Sequence, residues 1–137
     1  MIELVPLCTF TGTLAAPRTL GNTPSGTRLI FHVTDGSVTG DRLNATLTGQ
    51  ANADWLTIGA DGTGTLDVRL LLETHDGALV FVQYQGRVDT TIPGAPVYAT
   101  PRFDSGDVRY LWLNKIQAVA KGTLDGQTLT YEVCEVR

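Results

Sequence analysis

Alternation of apolar and polar residues with a period of two runs along much of the chain and predicts β-strands. The segment TLDVRLLLET shows it most clearly, since one face would carry Leu66, Val68, Leu70 and Leu72 and the other Asp67, Arg69, Leu71 and Glu73. The segment ALVFVQYQGRV is rich in β-branched and aromatic residues, and TLTYEVCEVR alternates as well. Side chains two residues apart share a face of a strand, so these runs indicate strands.

Asp-Gly pairs punctuate the pattern and predict turns. They occur at positions 35–36, 61–62, 76–77 and 125–126. Asp-Gly between apolar runs favours a type I′ hairpin turn, which needs positive φ at both central residues. We expect hairpin tips at Asp76-Gly77 and Asp125-Gly126. Segments 16–27 and 89–102, rich in Gly, Thr and Pro, are predicted to be the two long loops.

The stretch FDSGDVRYLWLNKIQ, residues 103–117, is predicted to be a turn followed by a strand. A short helix over LNKIQAVAKG is the alternative, but the flanking RYLWL and TLDG favour one long strand. On a strand, Tyr110, Trp112 and Asn114 share one face. Two exposed aromatics are unfavourable, and a dry core would leave the Asn114 amide unsatisfied. A partly wet cavity is therefore preferred, with a packed core and a satisfied Asn114 as the alternative.

Many strands, short hairpins and no secure helix predict an all-β protein with a single domain over residues 1–137, either an antiparallel sandwich or a barrel. A barrel of roughly eight to ten strands removes sheet edges and can enclose one small ligand. Closure predicts that the end segments LCTFTG and TLTYEVCEVR lie at one seam, with Cys8 and Cys134 reduced. Leu111 and Leu113 would face outward, against loops or a partner subunit, which leaves a homo-oligomer open.

Charge and composition limit the classes of partner that we expect for this protein. Hydrophobic residues make up 42% of the chain and charged residues 18%, and the net charge is −4 with scattered basic residues. Nucleic acid needs a basic patch, so it is not an expected partner. Apolar runs are too short to span a membrane, and the first residues lack a basic signal-peptide region, so a cytoplasmic location is expected. Lone histidines without ligand spacing predict no metal site and no cofactor.

Several motifs resemble a known family. They are GTRLIFHVTDGSVTGDRL, ADW, ADGTGTLDVRLLLETHDGALV, YQGR, PRFDSGDVRYLWLNK and YEVCEVR, which together span about Gly26 to Val136. In this order they are similar to the bacterial and fungal family catalogued as domain of unknown function 3237. The resemblance implies a single calycin-like antiparallel β-barrel and no particular activity. TDGSVTG and GQANADW depart from the family pattern, where more glycine is expected.

Candidate chemistry rests on polar residues inside these motifs. Asp54 is interpreted either as a turn aspartate with Trp55 as a core residue, or as a general base at a barrel mouth walled by Trp55. Arg69 belongs either to a solvated outer face or to the interior, where it would orient an anionic or carbonyl oxygen. The family resemblance favours the interior.

These residues together suggest a cofactor-free enzyme that transfers protons on a small hydrophobic carbonyl or phenol, as an isomerase, cyclase or hydro-lyase. In this hypothesis Asp54 moves the proton. Arg69, Tyr110 and Asn114 hold the developing oxyanion. The pocket is shaped by Trp55, Phe103 and Trp112. A lipocalin-like carrier of a small hydrophobic ligand is the alternative, and a domain with a packed interior is a third.

Overall fold

The computed structural model describes all residues 1–137 and consists of eleven β-strands and one short 3₁₀ helix. In chain order the strands are β1 Leu4–Leu14, β2 Arg18–Thr23, β3 Gly26–Thr39, β4 Ala45–Leu47, β5 Ala53–Ile58, β6 Thr63–Thr74, β7 Leu79–Asp89, β8 Val97–Ala99, β9 Arg102–Asp104, β10 Ala118–Asp125 and β11 Thr128–Val136. The helix spans Val108–Lys115 and is called the plug helix below. It is too short to cross a membrane.

Eight strands close into an antiparallel ring in the order β3, β1, β11, β10, β8, β7, β6 and β5, and β5 pairs back to β3. The other three strands lie outside this circuit: β2 pairs with β3, β9 pairs with β7, and β4 pairs with both β3 and β6. The predicted antiparallel barrel of roughly eight to ten strands is therefore confirmed. Ring closure leaves no free edge in the main circuit.

The chain ends meet at one seam, as the sequence predicts. β1 pairs with β11 from Leu4 opposite Val136 to Thr13 opposite Thr128, with a bulge near Cys8. Cys8 and Cys134 are both half-buried and free. Burial, with a smaller contribution from the nearby Cys134, raises the pKa of the Cys8 thiol to about 12, so Cys8 is a protonated, weakly nucleophilic thiol at neutral pH.

The hairpins at Asp76-Gly77 and Asp125-Gly126 are confirmed, but the expected turn type is wrong. Positive φ occurs only at glycines, including Gly77 at +89° and Gly126 at +61°, so the aspartates do not adopt it. The Asp-Gly pair at 35–36 is not a turn, because it lies within β3. There Gly36 makes room for the Phe10 ring, to which an added Cβ would approach within 2.9 Å.

The prediction of a long loop over residues 16–27 is also wrong. Residues 16–27 contain β2 and its turn into β3, so the barrel carries an extra hairpin there. Residues 89–102 do form a loop, interrupted by the three residues of β8. The predicted faces of β6 are right: its four apolar inward residues, Leu66, Val68, Leu70 and Leu72, are all buried. They belong to one continuous hydrophobic core inside the barrel.

The predicted strand over residues 108–117 is wrong, because this segment forms the plug helix. Asp107 caps it by accepting a hydrogen bond from the Arg109 backbone N–H at 2.9 Å. Asn114 ties its last turn to Ser105, accepting from the Ser105 N–H at 2.7 Å and donating to the Ser105 carbonyl at 2.9 Å. A helix with three residues per turn places residues two apart on different sides. The face shared by the two aromatics and the amide therefore does not exist.

Candidate functional site

The plug helix lies at one end of the barrel, beside the Asp76-Gly77 hairpin. Leu113 is fully buried, and Tyr110 is buried with its hydroxyl donating to Asp76 Oδ1 at 2.8 Å. The Arg109 guanidinium donates to Asp107 and to the Asp76 carbonyl, all within 2.9 Å. Hydrogen bonds from the Thr74 hydroxyl and then from Tyr110 lower the pKa of Asp76, and those from Arg109 lower the pKa of Asp107. This plugged end is packed and its polar groups are paired.

The opposite end holds a cavity of about 280 Å³, called the outer cavity below. Ten of its fourteen lining residues are hydrophobic. Strand residues such as Phe31, Leu66 and Val88 form its walls, and the loop that follows β7 contributes Ile92. The volume is near the lower end for small-molecule pockets, and an apolar lining with few polar groups is typical of them.

Asp54 is the one half-buried carboxylate at this cavity. It lies on β5, on the same face as the buried Leu56, which follows two residues later in the strand. The β5–β6 ladder is interrupted beside it, and Asp54 Oδ1 accepts a hydrogen bond from the freed Asp67 N–H at 3.1 Å. The second lining carboxylate, Asp89, is exposed and already accepts hydrogen bonds from Thr91 at 2.6 and 3.0 Å.

The pKa of Asp54 is raised from 3.8 to about 6. Burial is the largest cause, because a low-dielectric surrounding disfavours the carboxylate. The hydrogen bond from Asp67 N–H opposes the shift, and the Asp67 side-chain charge adds to it. A carboxyl with a pKa near 6 is mostly ionised at neutral pH, yet basic enough to take up a proton.

Two tyrosines occupy the middle of the barrel, beside an inner cavity of about 30 Å³. Tyr84 and Tyr131 pack edge to face, with ring centroids 5.6 Å apart and planes at 78°. Burial raises the pKa of Tyr131 to about 12 and raises that of Tyr84 well above its usual value, and the negative charge of Asp54 contributes to both shifts. Asp54, Tyr84 and Tyr131 therefore form one electrostatically coupled group in the interior.

The two tyrosine hydroxyls are close enough for each to affect the pKa of the other, but no hydrogen bond of normal length and angle joins them. The neighbouring Tyr131 contributes to the raised pKa of Tyr84. The Tyr131 hydroxyl is nevertheless buried without any hydrogen-bond partner, and it is the only such side-chain polar atom in the chain. Sequence reasoning missed both tyrosines. Their signal was strand phase, since Tyr84 shares a face with Val80 and Val82, and Tyr131 shares one with Leu129 and Val133.

The structure brings only two of the seven sequence-predicted site residues to the inner and outer cavities. Asp54 lines the outer cavity, and Phe103 on β9 is buried at the inner cavity. Arg69 is exposed on the outer face of β6, because its neighbours Val68 and Leu70 take the inner phase. Trp55 is also outside, 48% exposed, because Asp54 and Leu56 point inward. The inner-face prediction for Arg69 and the wall prediction for Trp55 are thus wrong.

Tyr110, Trp112 and Asn114 do not line the interior together, which corrects the second part of the predicted site. Tyr110 and Asn114 bond to Asp76 and Ser105 as described above. Trp112 packs partly buried against the core, and its ring lies 5.0 Å from the Arg42 guanidinium carbon. Leu113 is buried rather than outward-facing, while Leu111 is exposed. These residues hold the plug helix in place.

No group of three or more His, Cys, Asp or Glu side chains is arranged to hold a metal ion. The site therefore consists of Asp54, the two tyrosines and apolar walls. Such a set can transfer protons and donate hydrogen bonds.

Comparison with known proteins places this fold among uncharacterised barrels. The family described as "Protein of unknown function (DUF3237)" matches residues 2–136. The UPF0311 protein blr7842 of Bradyrhizobium diazoefficiens is 28% identical, over 93% of this chain and 92% of its own length. A beta-barrel like protein from Acinetobacter baumannii AYE superposes with a TM-score of 0.90 at 27% identity, covering 100% and 97% of the two chains.

A fungal structure is similar in fold at greater distance. It is described as an enzyme from Penicillium herquei and superposes with a TM-score of 0.70 at 24% identity, over 100% of this chain and 94% of the other. At that identity the likeness concerns the fold alone.

Proposed function

The chain belongs to the DUF3237 family of proteins of unknown function, and from its site we propose that it is a cofactor-independent enzyme that transfers protons. The substrate is a small hydrophobic molecule with a carbonyl or phenol group. The reaction is of the isomerase, cyclase or hydro-lyase type. The observation that carries this proposal is a carboxyl with a pKa of about 6 in the wall of an apolar cavity.

Asp54 acts as the general base. Its carboxylate takes a proton from the carbon next to the carbonyl, an enolate forms, and the protonated carboxyl returns a proton to the same or another carbon. General bases work best when their pKa lies near the operating pH, and burial supplies the shift here. The single hydrogen bond from Asp67 N–H holds Oδ1, so Oδ2 is left to meet the substrate.

The apolar walls define the substrate class. A cavity of about 280 Å³ lined mostly by hydrophobic side chains accommodates a compact ring or short chain rather than a polar metabolite. Exclusion of water also strengthens electrostatic interactions between a bound molecule and Asp54. The description of the Penicillium herquei protein as an enzyme adds that a barrel of this fold can carry catalysis.

A lipocalin-like carrier without catalysis is the second candidate. It is favoured by the bond between Asp54 and Asp67 N–H, because that contact gives the carboxylate a structural role at the interrupted β5–β6 ladder. A carrier needs only the apolar cavity. The two functions therefore differ in whether the Asp54 carboxylate exchanges protons with the bound molecule.

Hydrogen–deuterium exchange at the carbon next to the carbonyl of 1-indanone, followed by NMR in D₂O, tests this difference. We expect the protein to accelerate exchange, and Asp54→Asn to reduce the acceleration by about 10²- to 10⁴-fold. Asp104→Asn, which removes an exposed carboxylate on β9, is the matched control and should exchange like the original chain. Saturable binding of 1-indanone without accelerated exchange would support the carrier and exclude proton transfer on this class of ketone.

A further inference from the structure

The Tyr131 hydroxyl is a hydrogen-bonding group without a partner in the middle of the barrel. Tyr131 is 3% exposed, and its hydroxyl makes no hydrogen bond. A buried donor left unpaired is costly, so folded proteins usually pair it with protein, water or ligand. At the plugged end the corresponding hydroxyl of Tyr110 is paired with Asp76. The unpaired state of Tyr131 therefore needs its own explanation.

Tyr131 continues the lining of the outer cavity further into the barrel. Leu129, two residues earlier on the same face of β11, lines the outer cavity, and Tyr131 lines the inner one. Two residues of a strand span about 7 Å. Asp54, which lines the outer cavity, is near enough for its charge to contribute to the raised pKa of Tyr131. A molecule in the outer cavity thus lies against the Asp54 side chain, and Tyr131 is the next inward-facing residue beyond Leu129 on β11.

Packing holds the Tyr131 ring in one orientation. A Cβ at Gly122 would lie 2.6 Å from the Tyr131 ring, so the ring rests directly on the β10 backbone. The Tyr84 ring meets it edge to face, and the Phe10 ring lies 6.5 Å away. The hydroxyl is therefore presented by a side chain with little freedom to turn, which is the preorganisation that a binding or catalytic donor needs.

Water is a poor partner for this hydroxyl. The inner cavity has room for about one water molecule, at about 30 Å³, but ten of its eleven lining residues are hydrophobic. A buried water usually needs two to four polar partners, which this lining does not supply. An acceptor atom attached to an apolar molecule meets both requirements, because its carbon frame suits the walls and its oxygen suits the hydroxyl.

We propose that the Tyr131 hydroxyl donates the hydrogen bond that holds the oxygen of the molecule bound in the barrel. The inference rests on the proposed function in assuming an apolar, oxygen-bearing occupant, and it identifies that oxygen as an acceptor such as a ketone, enone or lactone carbonyl. With a pKa of about 12, Tyr131 stays protonated at neutral pH and can only donate to such a group. In the proton-transfer reaction, the same bond stabilises the enolate oxygen as Asp54 removes the proton.

The test compares 1-indanone with indane, which has the same ring system without the oxygen. Binding is measured by protein-observed NMR titration, and the carbonyl stretch of bound 1-indanone is measured by infrared difference spectroscopy. We expect Tyr131→Phe to weaken 1-indanone binding by about three- to tenfold, the usual size of one hydrogen bond. Indane binding should not weaken. The bound carbonyl stretch should move to lower frequency in the original chain and return towards its free value in Tyr131→Phe.

Tyr98→Phe is the matched control, since it removes a hydroxyl from a tyrosine that is 55% exposed on β8. It should bind both molecules like the original chain. Equal affinity of 1-indanone for the original chain and for Tyr131→Phe, an unshifted carbonyl stretch, or no saturable binding of 1-indanone would overturn the inference. A shift of the carbonyl stretch that depends on Tyr131, without proton exchange, would support the inference about Tyr131 and contradict the proposed enzymatic activity. Proton exchange that is lost in Asp54→Asn but unchanged in Tyr131→Phe would support the enzyme and contradict the inference about Tyr131.

Discussion

The two ends of the barrel use similar residue types in opposite ways. At the plugged end, the Tyr110 hydroxyl and the Asp76 carboxylate lie 2.8 Å apart in a hydrogen bond, and Arg109 adds further bonds. In the middle of the barrel the Tyr131 hydroxyl has no partner, and at the outer cavity the Asp54 carboxylate accepts only one bond. The pKa of Asp76 is lowered by its partners, whereas that of Asp54 is raised to about 6 by burial.

This contrast separates groups that stabilise the fold from groups that remain free to react. A carboxylate that accepts hydrogen bonds and lies near solvent is stable as an anion, because its pKa is far below neutral pH. A carboxylate in an apolar wall carries a desolvation penalty that a bound proton relieves. Polar residues near a barrel mouth are therefore not equivalent as candidates for chemistry. The polar residues to consider for chemistry are those that are buried and make few hydrogen bonds.

Leu113→Ala should give the largest change in stability, because Leu113 is the fully buried residue of the plug helix. Loss of a fully buried leucine typically costs about 2–5 kcal/mol. Urea denaturation measures the free energy of unfolding. Leu111→Ala, at a neighbouring position that is 43% exposed, is the control and should cost well under half as much. Equal losses at both positions would show that the helix does not seal the barrel.

Asp54→Asn, at the outer cavity, should change how the free energy of unfolding depends on pH. A carboxyl whose pKa is higher in the folded chain, here about 6 against 3.8, favours folding when protonated and opposes it when ionised. The original chain should lose stability relative to Asp54→Asn as pH rises from about 4 to about 6, by about 2–3 kcal/mol in total. The difference should then stay constant above that range.

Urea denaturation of both proteins between pH 4 and pH 8 measures this difference. Comparing the two proteins cancels the contributions of the other carboxyls, whose lowered pKa values act in the opposite direction. A constant difference across this range would mean that the pKa of Asp54 is the same in the folded and unfolded chain.

Tyr110→Phe should lower the free energy of unfolding by about 1–2 kcal/mol, since it removes one hydrogen bond to a charged acceptor at 2.8 Å. Tyr131→Phe provides the comparison, because its hydroxyl has no partner to lose. In thermal unfolding without ligand, we expect Tyr131→Phe to be as stable as the original chain or more so. A larger loss for Tyr131→Phe than for Tyr110→Phe would reverse the assignment of the two ends.

Asn114→Leu should have the smallest effect, a loss of about 1 kcal/mol from its two hydrogen bonds with Ser105 at the surface. Affinity for 1-indanone should stay unchanged, because Asn114 lies at the plugged end and lines neither cavity. NMR titration measures the affinity and urea denaturation the stability. Weakened binding with unchanged stability would restore Asn114 to the site that the strand interpretation predicted.

Sequence alone determined the class of fold. The period-two pattern of β6 assigns its inner face correctly, because alternation is a local property of an extended chain. The hairpins at Asp76-Gly77 and Asp125-Gly126 follow from glycine's tolerance of positive φ. The family motifs identify the barrel, and the pairing of β1 with β11 follows from its closure. Asp54 was also identified from sequence as a candidate base.

Only the tertiary structure decided which residues meet inside. The stretch RYLWLN alternates well enough for a strand, but capping by Asp107 and the two bonds from Asn114 to Ser105 make a helix there, and those partners are defined by the loop around them. Arg69 lies between Val68 and Leu70 and fits either face of a strand, and barrel closure selects the outer face. Tyr84 and Tyr131 are far apart in sequence, and they meet beside Asp54 because β7, β11 and β5 enclose one interior. Burial of that group, which sets its pKa values, is a property of the whole barrel.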